Sequence, residues 1–320
     1  IDGILHAMEP PPKRLSAAIT TRIKIMAKLD ISERRLPQDG RIKLKILGKD
    51  IDMRVSALPT LYGESVVMRI LDRENLVLDL SQMGFPETEL RQLEALIQKP
   101  YGKLLVTGPT GSGKTTTLYA ALSKINTPDK KIFTIEDPVE YQMRGINQIH
   151  VKSQIGLNFA DGLRSIVRQD PDVIMVGEIR DPETADISIQ AALTGHLVFS
   201  TVHTNDAAGA ITRLLDMGVE NFLISSALLA VLAQRLVRVI CPDCKEEAPL
   251  TPTLKTEMGI LDKENVKVYS GKGCKACSQT GFRGRCGIYE LLVIDDSIRE
   301  LILKKTTAQI ICDQARKMGM

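Results

Sequence analysis

Apolar positions change their period several times along the chain, and the changes mark out its elements. Between residues 12 and 28 they recur at helical spacing, with Ala17, Ala18, Ile23 and Ile25 following the Pro11-Pro12 pair. The polar stretch Pro37-Gln38-Asp39-Gly40 is expected to turn the chain into a strand-rich section. Ile42-Lys43-Leu44-Lys45-Ile46 alternates there, and Gly48-Lys49-Asp50 supplies the next turn. Ile51, Met53, Val55 and Ala57 then share one face, with Asp52, Arg54 and Ser56 on the other. After a break at 59–63, residues 65–71 read as a third strand. The pattern predicts a small α+β domain over residues 1–80, then a linker at 81–86 and an entry helix at 87–98.

From residue 99 to 240 strand and helix patterns alternate, which signals an α/β domain with a parallel sheet and covering helices. Apolar runs at 103–107, 132–135, 172–176 and 197–202 read as strands, and helices are expected at 116–122, at 159–169, from Asp181 to Gly195 and after Asp206. The run 222–233 is about 12 residues long, too short for a membrane span of roughly 20, and is expected to be a buried helix. Residues 296–317 again carry helical periodicity.

Chemistry clusters where these strands end. Between the strand at 103–107 and the next helix lie Gly108, Pro109, Thr110, Gly111, Ser112, Gly113, Lys114, Thr115 and Thr116, a GxxxxGKT phosphate-binding loop in the context it requires. Its backbone N–H groups can cradle phosphate, Lys114 can reach the β and γ phosphates, and the Thr115 hydroxyl can ligate Mg²⁺. Ligands of open α/β sheets bind at the carboxyl ends of strands. Glu136, Asp137, Glu140, Glu178 and His203 are therefore candidates to converge on the γ-phosphate and Mg²⁺ of bound ATP. Asp172 to Val176 leads into Gly177-Glu178 as a Walker-B-like strand in which Gly replaces the usual terminal Asp. Arg54 and Arg69, alone, read as solvated strand residues, but phosphate-loop enzymes often need an arginine from another domain or subunit.

Four of the six cysteines form two CxxC pairs, Cys241/Cys244 and Cys274/Cys277, with 29 residues between them. Four thiolates suit a closed, structural Zn²⁺ site, and they predict a loop-rich subdomain over 241–290, followed by a helical segment at 291–320. Cys286 and Cys312 are expected to be buried apolar residues. Composition adds exclusions. The 42 Lys and Arg nearly balance 39 acids across 320 residues, Trp is absent and aromatics are 4%, so no dedicated nucleic-acid surface is expected. The chain opens at Ile1 rather than Met, so an upstream portion is expected, and no signal peptide is visible.

In this order the motifs resemble the secretion-type ATPases that power type II secretion and type IV pilus assembly. The resemblance rests on the phosphate loop, the aspartate box Ile135-Glu-Asp-Pro-Val-Glu140, Val176-Gly-Glu-Ile-Arg-Asp181, the histidine box Ser200-Thr-Val-His-Thr-Asn-Asp206 and the cysteine pairs. It covers essentially the whole chain and implies a RecA-like P-loop NTPase domain over 99–240, preceded by a PAS-like α+β domain. It further implies a homo-hexamer, cytoplasmic and peripheral at the inner face of the membrane, working with an inner-membrane platform and other cytoplasmic-side components. Membrane contact would be indirect. Arg54 and Arg69 match the positions that reach a nucleotide from a separate domain. Glu178 and Glu140 are implied at the attacking water and metal, with His203 sensing the γ-phosphate; the residues leave Glu136 or Glu140 open. The cysteine pairs resemble the extension motors, the far N-terminal docking domain of the family is not part of this sequence, and a DNA-translocating RecA-like motor is the alternative.

Overall fold

The computed structural model describes residues 3–46, 48–72, 79–257 and 266–320. The chain forms two compact units: Leu5–Val77 with Glu140–Gln142, and Leu78–Val139 with Met143–Met320 and the first residues.

In the smaller unit one helix, α1 (Ser16–Met26), packs on an antiparallel meander of β1 (Gln38–Ile46), β2 (Lys49–Thr60) and β3 (Gly63–Asp72). Its core is Ala27, Ile42 and Val55, flanked by Ile23, Met53 and Val66, the apolar face that the alternation predicts. Of the expected turn at Pro37–Gly40, Gln38–Gly40 are instead the start of β1. A Cβ on Gly40 would fall 2.5 Å from the Ala27 carbonyl, so this glycine lets the end of α1 close on the strand. Lys24 is buried on α1, and its Nζ donates to Glu64 Oε1 on β3 at 2.7 Å and to the Glu33 carbonyl at 2.6 Å.

The larger unit is built on α2 (Glu87–Leu96), β4 (Gly102–Thr107), α3 (Lys114–Ile125), β5 (Ile132–Glu136), β6 (Ile146–His150), α4 (Phe159–Val167), β7 (Val173–Val176), α5 (Pro182–Leu193), β8 (Leu197–Val202), α6 (Ala207–Asp216), α7 (Asn221–Ala227) and β9 (Leu228–Ile240). Then come β10 (Lys245–Ala248), α8 (Pro252–Glu257), β11 (Val268–Gly271), β12 (Phe282–Val293), α9 (Asp296–Leu303) and α10 (Ala308–Lys317). Seven strands make one sheet in the order β12-β9-β4-β8-β7-β5-β6, parallel except for the antiparallel β12. The phosphate-loop strand β4 is central and buried along its whole length. Asp181 and Asp206 cap α5 and α6 through Thr184 N and Gly209 N, as their positions predict.

Two further expectations are corrected, and the linker is found packed into the larger unit. Only residues 222–227 of the apolar run are helical; 228–233 begin β9 as a largely buried apolar stretch that periodicity cannot tell from a buried helix. The linker at 81–86 is docked: Leu80 is fully buried, Phe85 stacks on Tyr289 of β12 with ring centroids 3.6 Å apart, and Tyr289 donates to the Met83 carbonyl. Cys286 is exposed on β12, and Cys312 is half-buried on α10 where it packs against the core, so neither is fully buried. The stretch 241–320 lies in the same compact unit as the sheet, which it completes through β12.

Candidate nucleotide site and tetracysteine centre

Residues 108–113 leave the carboxyl end of β4 as a loop, and Lys114, Thr115 and Thr116 form the first turn of α3. Gly108 and Gly113 adopt φ of 144° and 89°, which L side chains rarely do. Space forbids a side chain as well: a Cβ would lie 2.3 Å from the Gln234 carbonyl at Gly108 and 2.7 Å from Gln234 Nε2 at Gly113. Gln234 on β9 is buried, and its Oε1 accepts from Thr117 Oγ1 of α3 at 2.7 Å. The loop thus rests on β9, a support that no motif announces.

Lys114 lies across the loop, its Nζ donating to the carbonyls of Gly108 at 2.8 Å and Pro109 at 3.1 Å. Burial pulls its pKa down, and the Glu178 carboxylate opposes that fall. Glu178 follows β7, is largely buried, ion-pairs with Arg180 and lies 3.6 Å from His203 Nε2 at the end of β8. Lys114, Glu178, Arg180 and His203 therefore form one electrostatic group. Arg180 was not singled out from the sequence, although it lies inside the Val176–Asp181 motif. The glycine in place of the usual aspartate has a steric reason. A Cβ on Gly177 would press to 3.2 Å from the Ile135 carbonyl and 3.3 Å from Glu136 Cα, where its own N–H bonds β5 at 2.8 Å.

Glu136 is almost fully buried at the end of β5. Tyr119 of α3 donates to its Oε2, while Thr134 Oγ1 and Gln148 Nε2 donate to Oε1 at 2.6 and 3.2 Å. Thr204 N donates to Thr107 Oγ1 at 2.9 Å, joining the histidine box to the end of β4. Glu140 belongs to the smaller unit, where its carboxylate pairs with Arg54 at 2.8 Å; Arg69 is exposed on β3.

The loop fits a nucleotide's phosphates on two observations: the glycine cradle, and the buried Ser112 Oγ, which has no hydrogen-bond partner among the described residues. Thr115 and Glu178 supply the hard oxygen donors that Mg²⁺ prefers.

Cys241, Cys244, Cys274 and Cys277 converge, all four sulfurs lying within 4.8 Å of one another. Sulfur separations of 3.9, 3.9 and 3.7 Å match the edge of about 3.8 Å that Zn–S bonds of ~2.3 Å impose on a tetrahedron. The N–H groups of Cys274 and Gly281 donate to Cys277 Sγ at 3.2 and 3.3 Å, which favours a thiolate. Metal analysis of the purified protein should give about one Zn²⁺ per chain, and strong chelation should expose residues 241–281 to proteolysis. Metal-free protein that resists cleavage there would refute the centre.

A buried parallel sheet, a glycine cradle closed by Lys114 and an acid at the end of β7 define a phosphate-loop nucleotide-binding α/β protein. The chain belongs to the type II/IV secretion system protein family, whose model matches residues 1–320. It is 55% identical over 302 residues to type II secretion system protein E of Aeromonas hydrophila, covering 94% of this chain and 60% of that protein. It is 52% identical over 324 residues to the type IV pilus assembly ATPase PilB of Myxococcus xanthus, covering 100% of this chain and 57% of that one. The chain thus spans about 60% of the length of such relatives. Among solved structures, the pilus retraction motor PilT with bound ADP matches at 29% identity and TM-score 0.61, over 86% of this chain and 69% of that one. The Legionella pneumophila ATPase DotB matches at 24% identity and TM-score 0.62, over 88% and 69% of the two chains, a likeness of fold. No helix among the described residues is long and apolar enough to cross a membrane.

Proposed function

We propose that the chain is the motor portion of a Mg²⁺-dependent ATPase that works as a homo-hexamer and drives assembly of a pseudopilus or pilus. The observation that carries the reading is Lys114 folded into a glycine cradle, with the carboxylate of Glu178 opposing the effect of its burial. The printed names of the relatives, type II secretion system protein E and type IV pilus assembly ATPase PilB, support the biological setting.

Residues 108–116 hold the triphosphate, with Lys114 on its β and γ phosphates and Thr115 toward Mg²⁺, which supplies charge neutralisation at the transferring phosphoryl group when bound. Glu178 orients and polarises the attacking water, and His203, beside it, reports the γ-phosphate. Glu136 is a brace rather than a base, because three donors from Tyr119, Thr134 and Gln148 already hold its carboxylate. Glu140 positions Arg54, and Arg54 and Arg69 contribute positive charge to a nucleotide on a neighbouring subunit. Closure of the smaller unit around that nucleotide would then pass work to an inner-membrane platform from the cytoplasmic side.

ATP hydrolysis by the purified chain tests the reading. Phosphate release should be readily measured in the wild type and fall about 100-fold or more in Lys114→Ala, which loses the cation on the transferring phosphoryl group. Equal turnover in the two would sink it, and strong stimulation by DNA would favour a nucleic-acid motor instead.

A further inference from the structure

The strand register of the smaller unit brings a third arginine into line with Arg54 and Arg69. Arg41 on β1 stands directly opposite Arg54 on β2, and Arg54 stands directly opposite Arg69 on β3. Ile42 and Val55, one residue from Arg41 and Arg54, and Val66, an odd number of residues from Arg69, face the core, so alternation sends the three arginines to the other face. They form one row across the sheet. The flanking rows on that face hold Lys43 opposite Asp52, and Asp39 opposite Ser56.

Like charges directly opposite one another destabilise a sheet, so the row is not explained by folding. Glu140 meets the middle member at 2.8 Å. Arg41 and Arg69 are exposed, and neither has an ion pair among the described residues. The nearby acids Asp39 and Asp52 leave both outer guanidinium groups available. Planar guanidinium forks match phosphate oxygens, and adjacent strands lie about 4.8 Å apart. Three strands therefore spread the forks over about 10 Å, the scale of a triphosphate chain.

We propose that Arg41 is a third phosphate-contacting arginine, and that the row Arg41–Arg54–Arg69 receives the terminal phosphates of a nucleoside triphosphate held by the loop of a second copy of this chain. The inference rests on the ATPase reading above and adds a residue to it. Because the row meets charge that grows on the transferring group, Arg41 acts on turnover more than on binding.

Steady-state hydrolysis by Arg41→Gln and Arg41→Lys, with thermal melting of both, provides the test. In Arg41→Gln, kcat should fall about tenfold or more with KM changed by less than about twofold. Arg41→Lys should recover only part of the loss, since an ammonium cannot fork. Melting should stay level or rise in Arg41→Gln, because one like charge has left the row. Mixing Arg41→Gln with Lys114→Ala chains should restore activity above the sum of the two, since mixed interfaces pair an intact row with an intact loop. Wild-type kcat in Arg41→Gln overturns the assignment, as does a fall in melting temperature that accounts for the lost activity in both variants. Hydrolysis that needs Lys114 but ignores Arg41 refutes only this inference; a wild type that does not hydrolyse ATP refutes the ATPase reading as well.

Discussion

Glu178→Gln should lower ATP turnover about 1000-fold while nucleotide affinity stays within a fewfold of wild type. The substitution keeps size and removes one charge, so it isolates what the carboxylate does. Two groups sense that charge directly: Arg180, which pairs with it, and Lys114, whose ammonium it favours against burial. Arg180 and His203 keep a hydrogen-bonding neighbour in the amide, so the strand end should hold its shape. In the proposed role of Glu178, the group that loses most is the attacking water, which needs a basic oxygen to orient it. Turnover at saturating ATP and equilibrium binding of a fluorescent nucleotide analogue separate the two effects. A parallel fall in affinity would make Glu178 a binding group, and unchanged turnover would move the base elsewhere.

A second large effect concerns stability. Lys103 lies fully buried in β4, with Ser188 Oγ at 2.5 Å as its hydrogen-bond partner. Burial brings its pKa down to about 7. The unfolded chain, with a lysine pKa of about 10.4, therefore takes up a proton over the window from about 10.4 to 7 that the folded chain refuses. Stability falls as pH drops through that window and levels off below it, at a cost on the order of 4 kcal/mol near neutrality. Lys103→Met removes the titrating group at similar volume, and Ser188 still donates to the Ala185 carbonyl. Urea unfolding should find the variant several kcal/mol more stable at pH 6.5, with about 3 kcal/mol of that advantage gone by pH 9.5. An advantage that does not change with pH would show that Lys103 is accommodated without the burial penalty.

Much of the larger unit is legible in the sequence because its parallel strands are short apolar runs punctuated by Gly, Pro and acids. The loop at 108–113, the caps Asp181 and Asp206, and the grouping of Glu178 with His203 follow from that punctuation. What failed did so for identifiable reasons. A strand buried on both faces has no alternation, and so 228–233 was indistinguishable from helix. β12 alternates weakly over Gly284 and Gly287, and its place beside β9 depends on pairings between residues far apart in sequence, from Phe282 with Ile240 at one end to Val293 with Ala230 at the other. Tyr119 and Gln148 look like ordinary helix and strand residues; only the fold aims both at Glu136. The aspartate box could be read as chemistry, yet its two glutamates fall in different units, and no local pattern encodes that division.

β9 has one more consequence. At Gln234 it underlies the phosphate loop, and seven residues later, at a rise of about 3.3 Å each, it runs into Cys241. The half of β9 from Gln234 onward to Cys241, about 23 Å of chain, therefore works as a strut, with the nucleotide cradle resting at one point and four sulfurs knotting the far end. A strut carries load only while both ends are fixed. A closed four-sulfur centre has no open position for chemistry, but untying it should slacken the floor beneath the phosphate loop.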